Sequence, residues 1–198
     1  IFPMLGVVDI QEAANPYANK IVFLFLGGFL LATAIQKWDL HKRMALLVLN
    51  NAGSKGSSLI LGFMITAAVI SMWVMNTATT IMLLPIGLAV ITVVKETVKD
   101  TSTQELNSFQ LALLLGIAYG ATIGGMSTLI GTGPNGMLAA FMADNYDLDI
   151  SFIDWMKVGV PLSCVMLPGC WFILTKVIFK VNFETSSATK DLLIKMKN

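Results

Sequence analysis

Uncharged stretches divide this chain into four hydrophobic units, separated by short polar segments. The first unit is Ile21–Gln36, with Asn19, Lys20, Lys37 and Trp38 at its borders and Gly27-Gly28 inside. That length suits one short span with snorkelling ends, and the paired glycines allow close helix approach. The second unit, Leu59–Val94, carries no charge, and Met75-Asn76-Thr77-Ala78-Thr79-Thr80 marks its midpoint. As one helix it would reach roughly 54 Å against a hydrocarbon core of roughly 30 Å. It is too short for two full spans and a turn. A re-entrant helical hairpin with the polar cluster at its tip fits best, and Pro85 in its second arm predicts a break or kink. The third unit, Phe109–Ala143, is interrupted by Gly124-Gly125 and Gly131-Thr132-Gly133-Pro134-Asn135-Gly136. This predicts a helix, an unwound centre and a short second helix. The fourth, Val158–Thr175, holds Pro161 and Pro168 and predicts one span opened or kinked by proline.

The connecting segments differ in character. Trp38, Leu40, Met44, Leu47 and Val48 repeat near the helical period among Lys37, Asp39, Lys42 and Arg43, which predicts an amphipathic helix in the membrane interface over Lys37–Asn50. Asn51–Ser58 reads as a flexible turn. Lys95–Ser108 reads as a polar linker and Lys176–Asn198 as a basic tail. Lys37, Lys42, Arg43 and Lys55 oppose only Asp39, whereas Asp144, Asp147, Asp149 and Asp154 oppose only Lys157. The positive-inside rule places the first group and the tail in the cytoplasm and the acidic loop outside. That scheme requires the second unit to dip and return; a single crossing would swap the acidic loop and the tail.

Composition confirms the class. The chain is 56% hydrophobic and 13% charged, about half the charged fraction of a soluble domain. The mean hydropathy is +0.75. The fold class is therefore an all-α polytopic membrane protein. A net charge of +1 points to no nucleic-acid partner. The opening at Ile1 reads as processed or truncated, and Ile1–Ile10 shows no basic leader. Cys164 and Cys170 would lie about 9 Å apart along one helix and on different faces, so they read as packing residues.

Candidate chemistry lies at the two interruptions. Asn76 and Thr77 offer amide and hydroxyl groups, and converging helix ends would add partial charges that hold a carboxylate beside a cation without a charged side chain. The same residues would also serve as interhelical hydrogen-bond glue. The second cluster, from Gly124 through Thr128 and Thr132 to Asn135, combines approachable backbone with hydroxyl oxygens; a flexible bend is its plain alternative. It is not a phosphate loop, because the Gly-Lys-Ser/Thr ending is missing. Ser71, five residues before Asn76, lies too far round a regular helix to share its face, but unwinding at Met75 would bring the two together. His41, the single histidine, sits among basic residues at the interface and is a poor metal or catalytic candidate. No Asp or Glu lies inside any unit, which weakens a proton-pump reading and leaves an enzyme without a general acid, base or ligand set.

The run Ser71-Met72-Trp73-Val74-Met75-Asn76-Thr77-Ala78-Thr79-Thr80, followed by Met82-Leu83-Leu84-Pro85-Ile86, resembles the first Ser-Asn-Thr signature of the divalent anion:sodium symporter family. Ile123-Gly124-Gly125, Thr128 and Gly131-Thr132-Gly133-Pro134-Asn135 resemble its fifth-helix loop. Phe23–Leu31 and Trp38–Arg43 are also similar to that family, and the likeness covers most of residues 15 to 175. The resemblance implies sodium-coupled carriage of di- or tricarboxylates, as a homodimer, by an elevator movement, in an inner membrane of a bacterium. It implies that Asn76 and Thr77 contact a substrate carboxylate and that Ser71, Asn76 and the backbone of Met75 and Gly124 surround sodium. Thr128, Thr132, Pro134 and Asn135 are second-tier candidates. Met75 stands where the signature has serine, which keeps a carbonyl and loses a hydroxyl. One signature is present, so the chain reads as one half of an inverted repeat. Its parts would be a scaffold helix with the interfacial helix (residues 1–58), the transport-domain hairpin (59–94), the linker and broken helix (95–143), and the loop, last span and tail (144–198). A sodium-independent exchanger and a structural membrane subunit are the rival readings.

Overall fold

A computed structural model describes residues 3–14, 17, 20–40, 42–44, 47, 55–98 and 102–182. After a 3₁₀ turn at Pro3–Leu5 come α1 (Ile10–Ala14), α2 (Lys20–Lys37), α3 (Gly56–Ser71) and α4 (Asn76–Thr97). They are followed by α5 (Thr103–Gly125), α6 (Gly133–Tyr146) and α7 (Phe152–Phe172), which continues as a π-helical turn over Ile173–Ile178. Among the described residues, four helices are long and apolar enough to cross a membrane: α2, α4, α5, and α7 with its extension. The protein is an all-α polytopic membrane protein, as its hydropathy pattern requires.

The long uncharged run splits into α3 and α4, and the non-helical break falls at Met72–Met75. The arms are unequal, with 16 residues in α3 and 22 in α4. The second arm runs past Val94 because Lys95, Glu96 and Thr97 extend it, and Lys95 Nζ donates to Gln110 Oε1 of α5 at 2.7 Å. Pro85 lies inside α4 without ending it. It leaves one carbonyl of the preceding turn without its usual donor, a defect that surrounding protein makes tolerable in a membrane helix. The third unit divides as its glycines predict, into α5, a bent segment and α6. In the fourth unit Pro161 and Pro168 both sit within a continuous α7, and the helix widens only beyond them, at Ile173.

A stripe of glycines sets the central contact. Gly116, Gly120 and Gly124 recur every fourth residue of α5. A Cβ at Gly116 would stand 3.1 Å from Met64 Cγ, one at Gly120 2.7 Å from Met64 O, and one at Gly124 2.1 Å from Ala68 O. The rising numbers on both helices show that α3 runs parallel to α5. Without such a stripe the two backbones could not approach this closely, and between apolar helices packing of this kind supplies the association that hydrophobicity supplies in water. α4 returns antiparallel: Asn76 lies beside Ala121, Gly87 faces Ile117, and Lys95 meets Gln110. α3 and α4 thus form a helical hairpin whose two outer ends lie toward the start of α5. Phe63, Phe109, Ile60, Met64, Leu83, Leu113 and Ile117 are fully buried between these helices.

α7 lies antiparallel to α5. Ser163 Oγ donates to Ile123 O at 2.8 Å, and Trp171 Nε1 donates to Ser57 O at the start of α3 at 2.8 Å. α2 leans on the bundle at few points: its one buried residue, Gly28, faces Ile130, and Phe25 fills the space beside Gly136. Lys20 at its start forms an ion pair with Asp149 of the α6–α7 loop. In the expected interfacial helix, Met44 packs toward the core while Trp38 and Leu47 are exposed, and Asp39 takes a left-handed backbone (φ 50°) and pairs with Lys42 at 2.9 Å. His41, Val48, residues 51–54 of the expected turn and residues 183–198 of the tail lie outside the described residues.

Candidate functional site

The break between α3 and α4 packs against the break between α5 and α6. Helix α3 closes with Met72 N donating to Ala68 O and Val74 N to Ile70 O. Met75 then turns extended (φ −51°, ψ 142°), and Asn76 opens α4. Across from it α5 ends at Gly125, and Met126–Thr132 bends to the start of α6 at Gly133.

Unwinding changes which side chains meet. On a continuous helix, residues 71 and 76 would point about 140° apart. Here Ser71 Oγ, fully buried, lies 2.7 Å from one amide terminus of Asn76. That terminus also lies 3.2 Å from Gly131 O and 3.3 Å from Ala121 O. As a nitrogen it has two N–H groups to share among these three acceptor oxygens. As an oxygen it accepts from Ser71 and leaves three oxygens facing one another with no proton between them. Asn76 fits there because residue 125 is glycine: a Cβ at Gly125 would stand 2.0 Å from this amide terminus.

Polar side chains lock the two breaks together. Thr128, fully buried, donates through Oγ1 to Met72 O at 2.5 Å and accepts from Gly131 N at 3.1 Å. Asn135 Nδ2 donates to Gly125 O at 3.0 Å and Thr128 O at 2.7 Å. Helix α4 has no side-chain N-cap, and neither has α6, whose Thr132 caps through its backbone alone. By contrast Ser102 and Ser151 cap α5 and α7 with their hydroxyls. Helix α3 also lacks such a cap. The first amides of α4 therefore retain donor capacity, whereas at the start of α6 Pro134 has no N–H and Asn135 N already donates to Thr132 O at 3.2 Å.

Five residues expected from the sequence come together: Ser71, Asn76, Gly124, Thr128 and Asn135. Gly124 acts through its packing on Ala68 and a carbonyl that accepts from Ser127 N at 3.0 Å; Gly125, its neighbour, is the glycine that faces Asn76. The Met75 side chain is 46% exposed, and its carbonyl accepts from Thr79 N at 3.0 Å. Thr77 and Pro134 are exposed, and Thr132 is half-buried. Sequence reasoning missed Trp155, Gly159 and Ser163, which hold the second break from α7 through Met126, Ser127 and Ile123. Their signal was the spacing of four residues from Trp155 to Gly159 to Ser163. A cavity of about 370 Å³, lined by Leu24, Leu129, Ala139 and Phe152 and by the Lys20–Asp149 pair, opens between α2 and α6 and includes none of Ser71, Asn76, Thr128 and Asn135. Among the described residues no three His, Cys, Asp or Glu side chains gather to hold a metal. The oxygens around Asn76 are neutral hydroxyl, amide and carbonyl groups, a hard donor set that suits an alkali cation better than a soft transition metal.

A family model described as citrate transporter matches residues 1–196. The chain belongs to the citrate transporter family. This bears out the resemblance carried by the two signature segments, and it makes the protein a member of a transporter family rather than an enzyme. A sodium-dependent dicarboxylate transporter, SdcS, of Staphylococcus saprophyticus subsp. saprophyticus is 40% identical over 196 residues, covering 98% of this chain and 38% of that relative. SdcS of Staphylococcus aureus (strain USA300) is 39% identical over 181 residues, covering 91% of this chain and 35% of the relative. The chain thus spans less than two fifths of the curated relatives it matches. As a member of the citrate transporter family it is an integral membrane protein, in keeping with its four span-length apolar helices.

Proposed function

We infer that this chain supplies one half-site of a sodium-coupled secondary transporter for di- or tricarboxylates of the succinate, malate, fumarate and citrate class. The observation that carries this reading is the meeting of Ser71, Asn76, Ala121 and Gly131 where the two broken elements interlock. The relatives named sodium-dependent dicarboxylate transporter support the choice of ion and solute. The uncapped start of α4 favours an anion, and Asn76 and Thr77 would donate to its carboxylate. Sodium would sit among the oxygens of Ser71, Asn76 and the Met75 and Gly124 backbone. With sodium in place the Asn76 oxygen turns toward the ion; without it the nitrogen turns toward the carbonyls of Ala121 and Gly131. Ion binding would thereby set which amide atom the substrate meets, a local form of coupling. Thr128 and Asn135 would hold the two breaks in register, with Thr132 and Pro134 shaping the entry to α6. In this reading the protein works as a homodimer by an elevator movement in a bacterial cytoplasmic membrane, and the hairpin α3–α4 is re-entrant.

The test is uptake of labelled succinate into proteoliposomes against sodium concentration, for wild type and Asn76→Ala. Removing a charge-assisted hydrogen bond at a desolvated site costs about 1.5–3 kcal/mol, or tenfold and more in affinity. We expect saturable sodium dependence in the wild type and severe loss in a folded Asn76→Ala protein. Uptake unaffected by Asn76→Ala would return these residues to a packing role. The exchanger reading rests on Met75 at the signature's serine, and sodium-independent exchange by the wild type would establish it.

A further inference from the structure

We propose that Trp155, Gly159 and Ser163 of α7 are positioning residues that set the geometry of the substrate and sodium site; the proposal rests on the transport reading above. They recur every fourth residue, so they form one narrow stripe along α7. Each meets the unwound segment after α5 at a different point. Trp155 Nε1 donates to Met126 O at 2.9 Å. Ser163 Oγ donates to Ile123 O at 2.8 Å and accepts from Ser127 Oγ at 2.7 Å, and both serines are buried. Gly159 lies between them, where a Cβ would stand 2.9 Å from both Met126 O and Ser127 O.

The contacts follow from the break. Past the end of α5 the Ser127 amide turns to Gly124 O instead of Ile123 O. The Ile123 carbonyl has therefore lost its helical donor, and Met126 lies beyond the last helical residue. An unpaired carbonyl away from water is costly, and α7 supplies the replacement donors. The anchored carbonyls, at Ile123 and Met126, flank Gly124 and Gly125, the glycines that touch Ala68 and Asn76. A shift of the segment along α7 would move the oxygens around Asn76 with it. Hydrogen bonding from α7 thus fixes a binding site to which α7 contributes no side chain.

The test uses the full-length protein in proteoliposomes, with Trp155→Phe, Ser163→Ala, Ser127→Ala/Ser163→Ala and a control. The control, Trp171→Phe, removes the other α7 indole donor, whose partner is Ser57 O at the far end of the bundle. We expect Trp155→Phe and Ser163→Ala to raise KM and half-saturating sodium about three- to tenfold, with maximal rate nearly unchanged. The double variant should be no worse than Ser163→Ala alone, because the hydroxyls act in series. Trp171→Phe should leave both constants unchanged. Hydrogen–deuterium exchange should rise several-fold for residues 126–132 in Trp155→Phe and not in Trp171→Phe. Unaltered constants in folded Trp155→Phe and Ser163→Ala proteins overturn the proposal, and if Ser163→Ala fails to fold Trp155→Phe decides alone. Equal shifts in Trp171→Phe reduce the stripe to general packing and also overturn it. If wild type takes up no carboxylate, the transport reading falls. The exchange measurement then still decides whether α7 holds the segment: unchanged exchange overturns that role and acceleration supports it.

Discussion

Ser71 and Asn76 show how four residues of lost helix create a contact that five residues of regular helix forbid. The Met72–Met75 break rotates Asn76 back over Ser71, and the small size of Gly125 leaves room for its amide. Gly125→Ala would place a methyl group on that amide terminus. Overpacking of this kind costs about 1–3 kcal/mol, and here the strain falls on Asn76. We expect a folded, monodisperse Gly125→Ala protein with substrate affinity reduced at least as far as in Asn76→Ala; wild-type affinity by calorimetric titration would show that Asn76 is not held where the structure has it. Met75 is the opposite case. It is exposed and would offer sodium only its backbone carbonyl, which serine keeps, so Met75→Ser should leave sodium dependence intact. A flat native sodium curve that becomes saturable in Met75→Ser would show that the missing hydroxyl matters and would favour the exchanger. Both interruptions were legible as polar and glycine-rich islands in uncharged runs. Which carbonyls they would meet was not, since any residue type presents the same backbone oxygen.

At the scale of elements, the glycine stripe of α5 is the decisive feature. Gly116, Gly120 and Gly124 let α3 and α5 run parallel with backbones in contact, and this brings the two breaks to one level. In Gly120→Ala the new methyl would meet Met64 O and Cα, so α3 must move away. We expect a loss of about 1–3 kcal/mol, seen as a lower Tm in detergent, with substrate binding weakened as the breaks separate. An unchanged Tm would mean that the helices are not in contact at this point. The hydrophobic runs predicted the helices, and their polar and glycine-rich islands predicted the two interruptions, whereas Pro85, Pro161 and Pro168 each lie inside a continuous helix. They did not predict the unequal arms of the α3–α4 hairpin. A polar tail such as Lys95–Thr97 extends a helix when a partner, here Gln110 for Lys95, holds it.

Across the whole molecule, the pairing of Lys20 with Asp149 brings the start of α2 and the acidic loop to the same end of the bundle, which supports a second unit that dips and returns. Lys55 and Glu96, exposed at the outer ends of α3 and α4, report on this directly. Single cysteines at the two positions should react with an impermeant maleimide from the cytoplasmic side; labelling from opposite faces would end the re-entrant scheme. By itself the sequence determined the membrane class, the positions of the helix interruptions, the residue types that gather there and the family. Those properties follow from local composition, because a missing charge, a polar cluster or a glycine acts on the segment that contains it. The tertiary structure alone decided that Asn76 meets Ala121 and Gly131, that Gly125 rather than Gly124 makes room for it, and that α7 restores the donors lost at the second break. Helices that are apolar on every side carry no polar face to specify register. Their alignment comes from small-residue contacts and from carbonyls seeking donors, and both exist only once the helices have packed.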